Sequence, residues 1–476
     1  MIPARELAIY VFVAAFIALF LTSGVTNGPS RAWNAFSDGF EDSLRYIGKS
    51  RFPDFSRYPP LKVLSPSEFP LDSDTRRVIV VGDIHGMIDP FHKLLDKVGY
   101  NSSADVLVHT GDFIAKGRHS DSMSVLSFMT RNNITGVRGN HDEMVIEWAG
   151  WIRWISRTRE GRNWLRRVEQ DWKDEHRHDK SLSLDDFLDS EKKKCGQSLQ
   201  DRRWWKLIPQ DWQLLGDHYR IARDMSEDQY QYMVQLPTRI YVPSAHTFIV
   251  HAGLLPLDPR VSRHDRRQPL SRIPKDSDKF DSLLGLSDVP RIERLRAMQE
   301  MAVLTNIPQN TRPWVVQNLR VIKNRKPSRK SDGKYWYNVW RKELDRCVGY
   351  PGDTTLAVQL GLRRGDLGKR GLPCYPATIV YGHMAAKGLN IRRWTVGLDS
   401  GCVYGRKLSA LVLGGPKLDS VDHTSDKDDL DAPSDQDEGE EEEETLDRGK
   451  HQSGDIFPFG DRYEGQVITV DCHRRS

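Results

Sequence analysis

Five short apolar runs in this chain end alike, each in a polar side chain set beside or one residue from a glycine. They are VIVVGDIHG (78–86), DVLVHTGD (105–112), ITGVRGNHD (134–142), HTFIVHAG (246–253) and ATIVYGH (377–383). The first predicts a buried strand, followed by a short helix in PFHKLLDKVGY (90–100). DVLVHTGD then reads as a second strand, SDSMSVLSFMTRNN (120–133) as a helix, and ITGVRGNHD as a third strand with its exit loop. Strand, helix and strand at this spacing predict parallel βαβ units, an α/β architecture. In such sheets ligands gather beyond the carboxyl ends of the strands. Asp83 and His85 stand at alternate positions of an extended segment and so point the same way.

The 476 residues allow a large core, and the inserts between these runs are long. Residues 143–244 read as a charged helical insert holding eight of the 13 tryptophans, most simply a cap on the sheet rather than a substrate platform. Residues 258–348 form a second, basic insert, and 392–415 reads as strands joined by turns, closing a catalytic region that spans 76–415. The net charge of +4 is unevenly spread. Residues 417–450 hold 15 acidic and 4 basic residues, so the remainder carries +15. The acidic segment, 416–460, is expected to be a disordered loop before a last strand within 461–476. A basic body suits a polyanionic partner, and no nucleic-acid partner is predicted. The five cysteines are scattered without a CxxC pair, and their redox state stays open.

The N-terminus is uncharged from Leu7 to Ser30 around LAIYVFVAAFIALFL. Residues 1–28 are expected to form an uncleaved signal anchor; a cleaved signal peptide is the rival. Residues 29–75 read as a stalk or surface-packed segment. The glycosylation candidates Asn101 and Asn133 begin the triplets Asn101-Ser102-Ser103 and Asn133-Ile134-Thr135. They tilt the expectation towards a lumenal body, and both precede strands on the edge opposite the polar ends.

Together the strand ends supply Asp83, His85, Asp112, Asn140, His141, His251 and His383. Two neighbouring divalent ions need such a mixed oxygen and nitrogen set with one shared carboxylate. As a set, Gly-Asp-x-His-Gly, Gly-Asp, Gly-Asn-His-Asp, His-Ala-Gly and Gly-His resemble the calcineurin-like metallophosphoesterases. The resemblance implies a β-sandwich of two mixed sheets flanked by helices, with helical and low-complexity inserts. It also implies that Asp83 and His85 bind a first metal, Asp112 bridges, and Asn140, His251 and His383 bind a second. His141 is then the catalytic residue that protonates the leaving group, with Asp142 its candidate orienting partner. Where phosphoprotein phosphatases of this superfamily read Gly-Asp-x-Val-Asp-Arg-Gly, this chain reads GDFIAKG. Ala115 thus replaces the aspartate that would orient the histidine, and Lys116 replaces a phosphate-binding arginine. Lys116 and Arg138 are the phosphate-binding candidates; for Arg138 a structural ion pair is the equal alternative.

GLDSGCVYGRKLSAL, GHMAA and the N-terminal apolar run resemble a narrower group, the membrane-anchored, zinc-dependent endopolyphosphatases of fungal vacuoles, although Arg406 stands where that group tends to have glycine. This implies hydrolysis of internal bonds of inorganic polyphosphate, with two divalent ions, zinc ahead of manganese, iron or cobalt. It also implies a vacuolar membrane protein with a lumenal catalytic domain; the alternative is the secretory lumen after signal cleavage. The rival functions are a protein serine/threonine phosphatase, a dinucleoside polyphosphate hydrolase and, more remotely, an inactive membrane-tethered interaction protein.

Overall fold

A computed structural model describes residues 53, 55, 59–194, 199–275, 289–351, 371–415 and 452–473. Its strands, in chain order, are β1 (Lys62–Val63), β2 (Val78–Val81), β3 (Val106–His109), β4 (Thr135–Gly136), β5 (Arg239–Val242), β6 (Thr247–Val250), β7 (Val321–Lys323), β8 (Lys326–Ser328), β9 (Lys334–Tyr335), β10 (Thr378–Tyr381), β11 (Asn390–Arg392), β12 (Thr395–Gly397), β13 (Lys407–Leu413), β14 (Ile456–Phe459) and β15 (Tyr463–Asp471). They build two six-stranded mixed sheets, ordered β1-β5-β6-β10-β12-β11 and β14-β15-β13-β2-β3-β4, and a small three-stranded sheet β8-β7-β9. Within the large sheets, β2, β3 and β4 run parallel, as do β6, β10 and β12.

Side-chain alternation explains why the sheets stack. Val78 and Val80 of β2, with Val108, Leu411 and Leu413, face Ile240, Val242, Ile249, Val380 and Val396 of the other sheet. The intervening residues, Ile79, Val81 and Leu107, face helices on the outside. All four β2 side chains are buried, each contributing about 1.5–3 kcal/mol relative to exposure.

The helices are α1 (Ile88–Lys97), α2 (His119–Arg131), α3 (Asn140–Ile155), α4 (Arg159–His178), α5 (Leu184–Lys194), α6 (Leu199–Trp205), α7 (Asp217–Asp224), α8 (Glu227–Gln235), α9 (Arg291–Asn306), α10 (Pro313–Asn318) and α11 (Trp336–Leu344). Phe91 and Leu94 of α1, Val125 of α2 and Val145 of α3 pack on one sheet, together with Trp148, Trp151, Trp164 and Trp204 of the tryptophan-rich segment. Met301, Leu304, Val316 and Trp340 of α9 to α11 cover the other. The result is an α/β fold: two mixed sheets face to face, flanked by helices.

Several expectations change here. Asn140 and His141 open a helix instead of lying in an exit loop, because the segment after β4 turns directly into α3. Within the segment read as a stalk, Lys62–Val63 pairs with β5, and Leu64 and Phe69 are buried. Ile456–Phe459, inside the range read as an acidic loop, pairs with β15; residues 416–451 lie outside the described residues. Four cysteines pair, Cys347 with Cys374 and Cys402 with Cys472, at separations of 27 and 70 residues. The expected single-pass vacuolar-membrane placement is corrected: among the described residues no helix is long and apolar enough to cross a membrane. The apolar segment 1–28 on which that placement rested lies outside the described residues. Asn101 and Asn133 are exposed, ahead of β3 and β4.

Candidate metal centre

The carboxyl ends of the two parallel triplets, β2-β3-β4 and β6-β10-β12, meet at one edge of the sandwich. Each places a polar residue there: Asp83 and His85 after β2, Asp112 after β3, Asn140 after β4, His251 after β6, His383 after β10 and Asp399 after β12. Asp83, His85, Asp112, His251 and Asp399 are all buried. Three of these residues hold left-handed backbone, His85 (φ 49°), Asp112 (φ 48°) and His383 (φ 68°). That conformation costs an L-residue roughly 1–2 kcal/mol and persists where the surroundings over-determine it. The neighbouring glycines permit close approach. A Cβ on Gly382 would lie 2.0 Å from Asp83 Oδ1, and one on Gly139 would lie 2.1 Å from Asp112 Oδ1.

Two groups of candidate ligand atoms result, Asp83–His85–Asp112 and Asp112–His251–His383, each with its atoms within 4.8 Å of one another and sharing Asp112. His85 Nε2 lies 3.9 Å from Asp83 Oδ2 and 3.7 Å from Asp112 Oδ2. His251 Nε2 lies 3.2 Å from Asp112 Oδ2 and 3.1 Å from Asn140 Oδ1, which is also 3.0 Å from His383 Nδ1. Ligands 2.0–2.2 Å from a shared tetrahedral ion stand about 3.4 Å apart, so these spacings fit.

Protonation fits too. His251 Nδ1 is 2.9 Å from the Thr110 carbonyl, which can only accept, so Nδ1 carries a proton and Nε2 is the atom turned on Asp112 and Asn140. Burial would lower this histidine, but the Asp112 charge and hydrogen bond raise it, an attraction that a cation between them would replace. His85 Nδ1 is buried, and the ring's backbone hydrogen bond is to Ile114. Burial holds His85 down at about 4 and pushes His383 well below the usual histidine range, which favours the neutral, ligating form. Burial, then the charges of Asp399 and Asp112, raise Asp83 well above the ordinary carboxylate value. Burial would raise Asp112 as well, but His251 and His141 draw it well below that value. Carboxylates, ring nitrogens and an amide oxygen converge here, the donor set that a pair of divalent cations completes.

His141 adjoins this cluster. Its backbone N–H donates to Asp112 Oδ1 (2.9 Å), and its ring lies edge-on to His85 at 5.3 Å between centroids. Burial draws its imidazole down to about 3. Lys116 stands near enough for its charge to act on Asp83, His85 and His141.

Two expected roles do not fit the geometry. Asp142 does not reach the His141 ring: its Oδ2 accepts the backbone N–H groups of Gly139 and Asp112, both at 2.8 Å, capping α3 and bracing the Asp112 turn. Arg138 is fully buried and turned away, donating to Glu143 (2.8 Å) and to the carbonyls of Met233 and Val234; it is the structural ion pair, not the phosphate ligand.

Three residues missed by sequence reasoning join the site. Asp399 is buried, hydrogen-bonds the Asp83 carboxyl and accepts from Gly401 N at 3.1 Å. Its GLDSG context carries the same strand-end signal as the others. Arg320 Nε lies 3.4 Å from His383 Nε2. His218, in the tryptophan-rich insert, lies 2.8 Å from His141. No strand end precedes either of these last two: His218 follows Gly216-Asp217 inside a helical insert, and Arg320 lies just before β7.

Comparison with known proteins agrees with this geometry. The calcineurin-like phosphoesterase family model matches residues 76–258. The chain is 21% identical to the zinc-dependent endopolyphosphatase of Saccharomyces cerevisiae over 377 residues, 76% of this chain and 82% of that protein. It is 46% identical over 65 residues to the symmetrical bis(5'-nucleosyl)-tetraphosphatase of Haemophilus ducreyi, 13% of this chain and 23% of that one. Over 72 residues it is 39% identical to serine/threonine-protein phosphatase 1 of Salmonella typhimurium, 15% of this chain and 32% of that one. The matches to the last two thus span less than a third of either relative's length. Residues 76–258 of the chain thus form a calcineurin-like metallophosphoesterase domain.

Proposed function

We propose that this protein cleaves internal phosphoanhydride bonds of inorganic polyphosphate. In this reading Asp83, His85 and Asp112 hold one divalent ion, and Asp112, Asn140, His251 and His383 hold a second, zinc ahead of manganese, iron or cobalt. The observation that carries it is His251, whose Nδ1 is fixed on the Thr110 carbonyl so that Nε2 is turned on Asp112 Oδ2 and Asn140 Oδ1. When bound, the two ions would activate water and offset charge on the phosphoryl oxygens.

The chain's own residues supply the rest. Lys116 and Arg320 flank the cluster and neutralise charge on the non-bridging oxygens, Lys116 as a point charge without the arginine fork. With its imidazole held neutral by burial, His141 donates a hydrogen bond from Nε2–H to the leaving oxygen, offsetting the charge that builds there while the phosphorus bond to that oxygen breaks and a bond to the water oxygen forms. The proton lost by the water passes to solvent. An open groove of about 560 Å³ beside Lys116 is lined by Lys93, Arg118 and His473 and equally by Asp89, Asp121 and Asp471. The charge of +15 on the body outside the acidic segment suits a polymer carrying about one negative charge per phosphate. The endopolyphosphatase likeness, which extends over most of both chains, supports the same substrate.

The test is a substrate panel of long-chain polyphosphate, diadenosine tetraphosphate and a phosphopeptide, run on one preparation with zinc or manganese. Mid-length polyphosphate fragments are expected. Release of single phosphates alone, or turnover confined to the dinucleotide or the peptide, would remove the endopolyphosphatase assignment.

A further inference from the structure

Among the described residues no carboxylate hydrogen-bonds the His141 ring: Ala115 occupies the position where an aspartate was expected, and Asp142 is held by backbone amides. A second imidazole stands at its Nδ1 instead. His218 Nε2 is 2.8 Å away, with the two rings stacked at 5.1 Å and 14°. His218 is not there by accident of a mobile side chain. It lies in the first turn of α7, whose first residue, Asp217, accepts the backbone N–H of Lys116 at 2.5 Å. The next residue, Tyr219, is buried edge-on against Trp148 of α3 and hydrogen-bonds Glu169 at 2.5 Å. The tryptophan-rich insert is therefore latched to the GDFIAKG loop on one side of His218 and to the helix bearing His141 on the other.

We infer that His218 is the positioning residue for His141, donating from Nε2 to His141 Nδ1. This fixes the ring plane and keeps the proton of His141 on Nε2, the atom turned to the leaving oxygen. The two nitrogens of a neutral imidazole share one proton, so whichever is engaged as acceptor sets the tautomer of the other. The tryptophan-rich insert thereby supplies a working part of the site as well as a lid on the sheet. The inference rests on the phosphohydrolase reading above.

The test uses the full chain loaded with zinc or manganese, as wild type, His218→Ala and His218→Gln. Elemental analysis should find two ions in all three, with unchanged melting temperature. With His218→Ala, kcat on phenyl phosphate should fall by about 10–100-fold, less than the ~10²–10³ of losing a donor to developing charge outright, and KM should stay within about twofold. The loss should be smaller on p-nitrophenyl phosphate, whose better leaving group needs less hydrogen-bond stabilisation. Added imidazole should restore part of the rate. His218→Gln, whose amide N–H reaches the same place, should recover more than His218→Ala. Unchanged kcat, equal loss on both esters, or loss of metal would overturn the assignment. Should wild type cleave the esters but spare polyphosphate, the substrate proposal falls while the His218 effect stands. Should it cleave nothing, long-range proton–nitrogen spectra of labelled imidazoles still decide. A hydrogen-bonded acceptor shift at His141 Nδ1, lost in His218→Ala, supports the pairing, and its absence overturns it.

Discussion

Two buried polar clusters in this molecule are built from the same residue types and balanced differently. At the β5–α9 contact, Glu300 accepts from Tyr241 Oη (2.5 Å), Arg296 Nε (3.0 Å) and His246 Nδ1 (3.0 Å). His246 Nε2 reaches Glu293 at 3.0 Å, and Arg296 also pairs with Asp461. Each carboxylate there meets a cation. At the strand-edge centre, Asp83, Asp112 and Asp399 are met by backbone N–H groups and imidazoles instead. The first cluster is complete and ties elements together. The second is a set of acceptors that a cation completes. Removing the cation or the shared carboxylate should therefore have the largest effect in the molecule. Asp112→Asn should lower turnover about a thousandfold, the scale of losing a preorganised electrostatic group, and leave fewer than two ions per chain by elemental analysis. Full turnover would break the contrast. In the wild type, chelation should lower the melting temperature, since an ion at 100 times its Kd stabilises by about 2.7 kcal/mol.

The complete cluster predicts the reverse pattern. Arg296→Met leaves Glu300 to Tyr241 and His246 alone and takes the cation from the half-buried Asp461, and breaking a buried pair costs up to about 3–5 kcal/mol. Denaturant unfolding should register that loss, while metal content and turnover per folded molecule stay at the wild-type level.

His246 offers a graded test. Burial alone would lower it, but the Glu300 charge and hydrogen bonds to Glu293 and Glu300 lift it to about 9, against the opposing charge of Arg296. A histidine raised in the folded state contributes stability that is fully present below its unfolded value of 6.5 and lost as pH rises to about 9. The shift corresponds to roughly 3 kcal/mol. Unfolding free energy measured from pH 6 to 9.5 should fall across that window in wild type and stay flatter in His246→Gln. Parallel curves would show that His246 is neutral in the fold.

The sequence made one cluster legible and hid the other, for a physical reason. Strand ends with glycine and a ligand-type side chain are local patterns, and a parallel sheet gathers all such ends at one edge. Asp83, His85, Asp112, Asn140, His251 and His383 are therefore brought together by topology alone. Asp399 carries that signal in GLDSG and was readable. His218, Arg320 and the Glu300 cluster depend on how helices from long inserts dock, which no local spacing encodes. Arg138 shows the opposite error. It adjoins the Gly-Asn-His motif in sequence, yet the strand pleat turns it into the α8 carbonyls, away from the metal centre. The disulfides were equally hidden, their partners lying 27 and 70 residues apart.

The smallest predicted effect divides the two clusters most sharply, because its sign depends on the metal. Asp399→Asn removes one of three neighbouring carboxylate charges and keeps an oxygen for the Gly401 N–H. With metal bound, less negative charge should weaken affinity at the Asp83 side by about tenfold, as for other outer ligands, with kcat recovered at saturating zinc. In chelator the same substitution relieves repulsion, so the variant should melt about 2–4 °C above wild type. Burial raises both Asp83 and Asp399. Carboxyls raised in this way lose their stabilising protons as pH climbs, so the gap in chelator should widen with rising pH. A substitution that only loosened packing would lower the melting temperature with and without metal. That outcome would mean the strand-edge carboxylates are as well balanced as the Glu300 cluster, with no electrostatic demand for a cation.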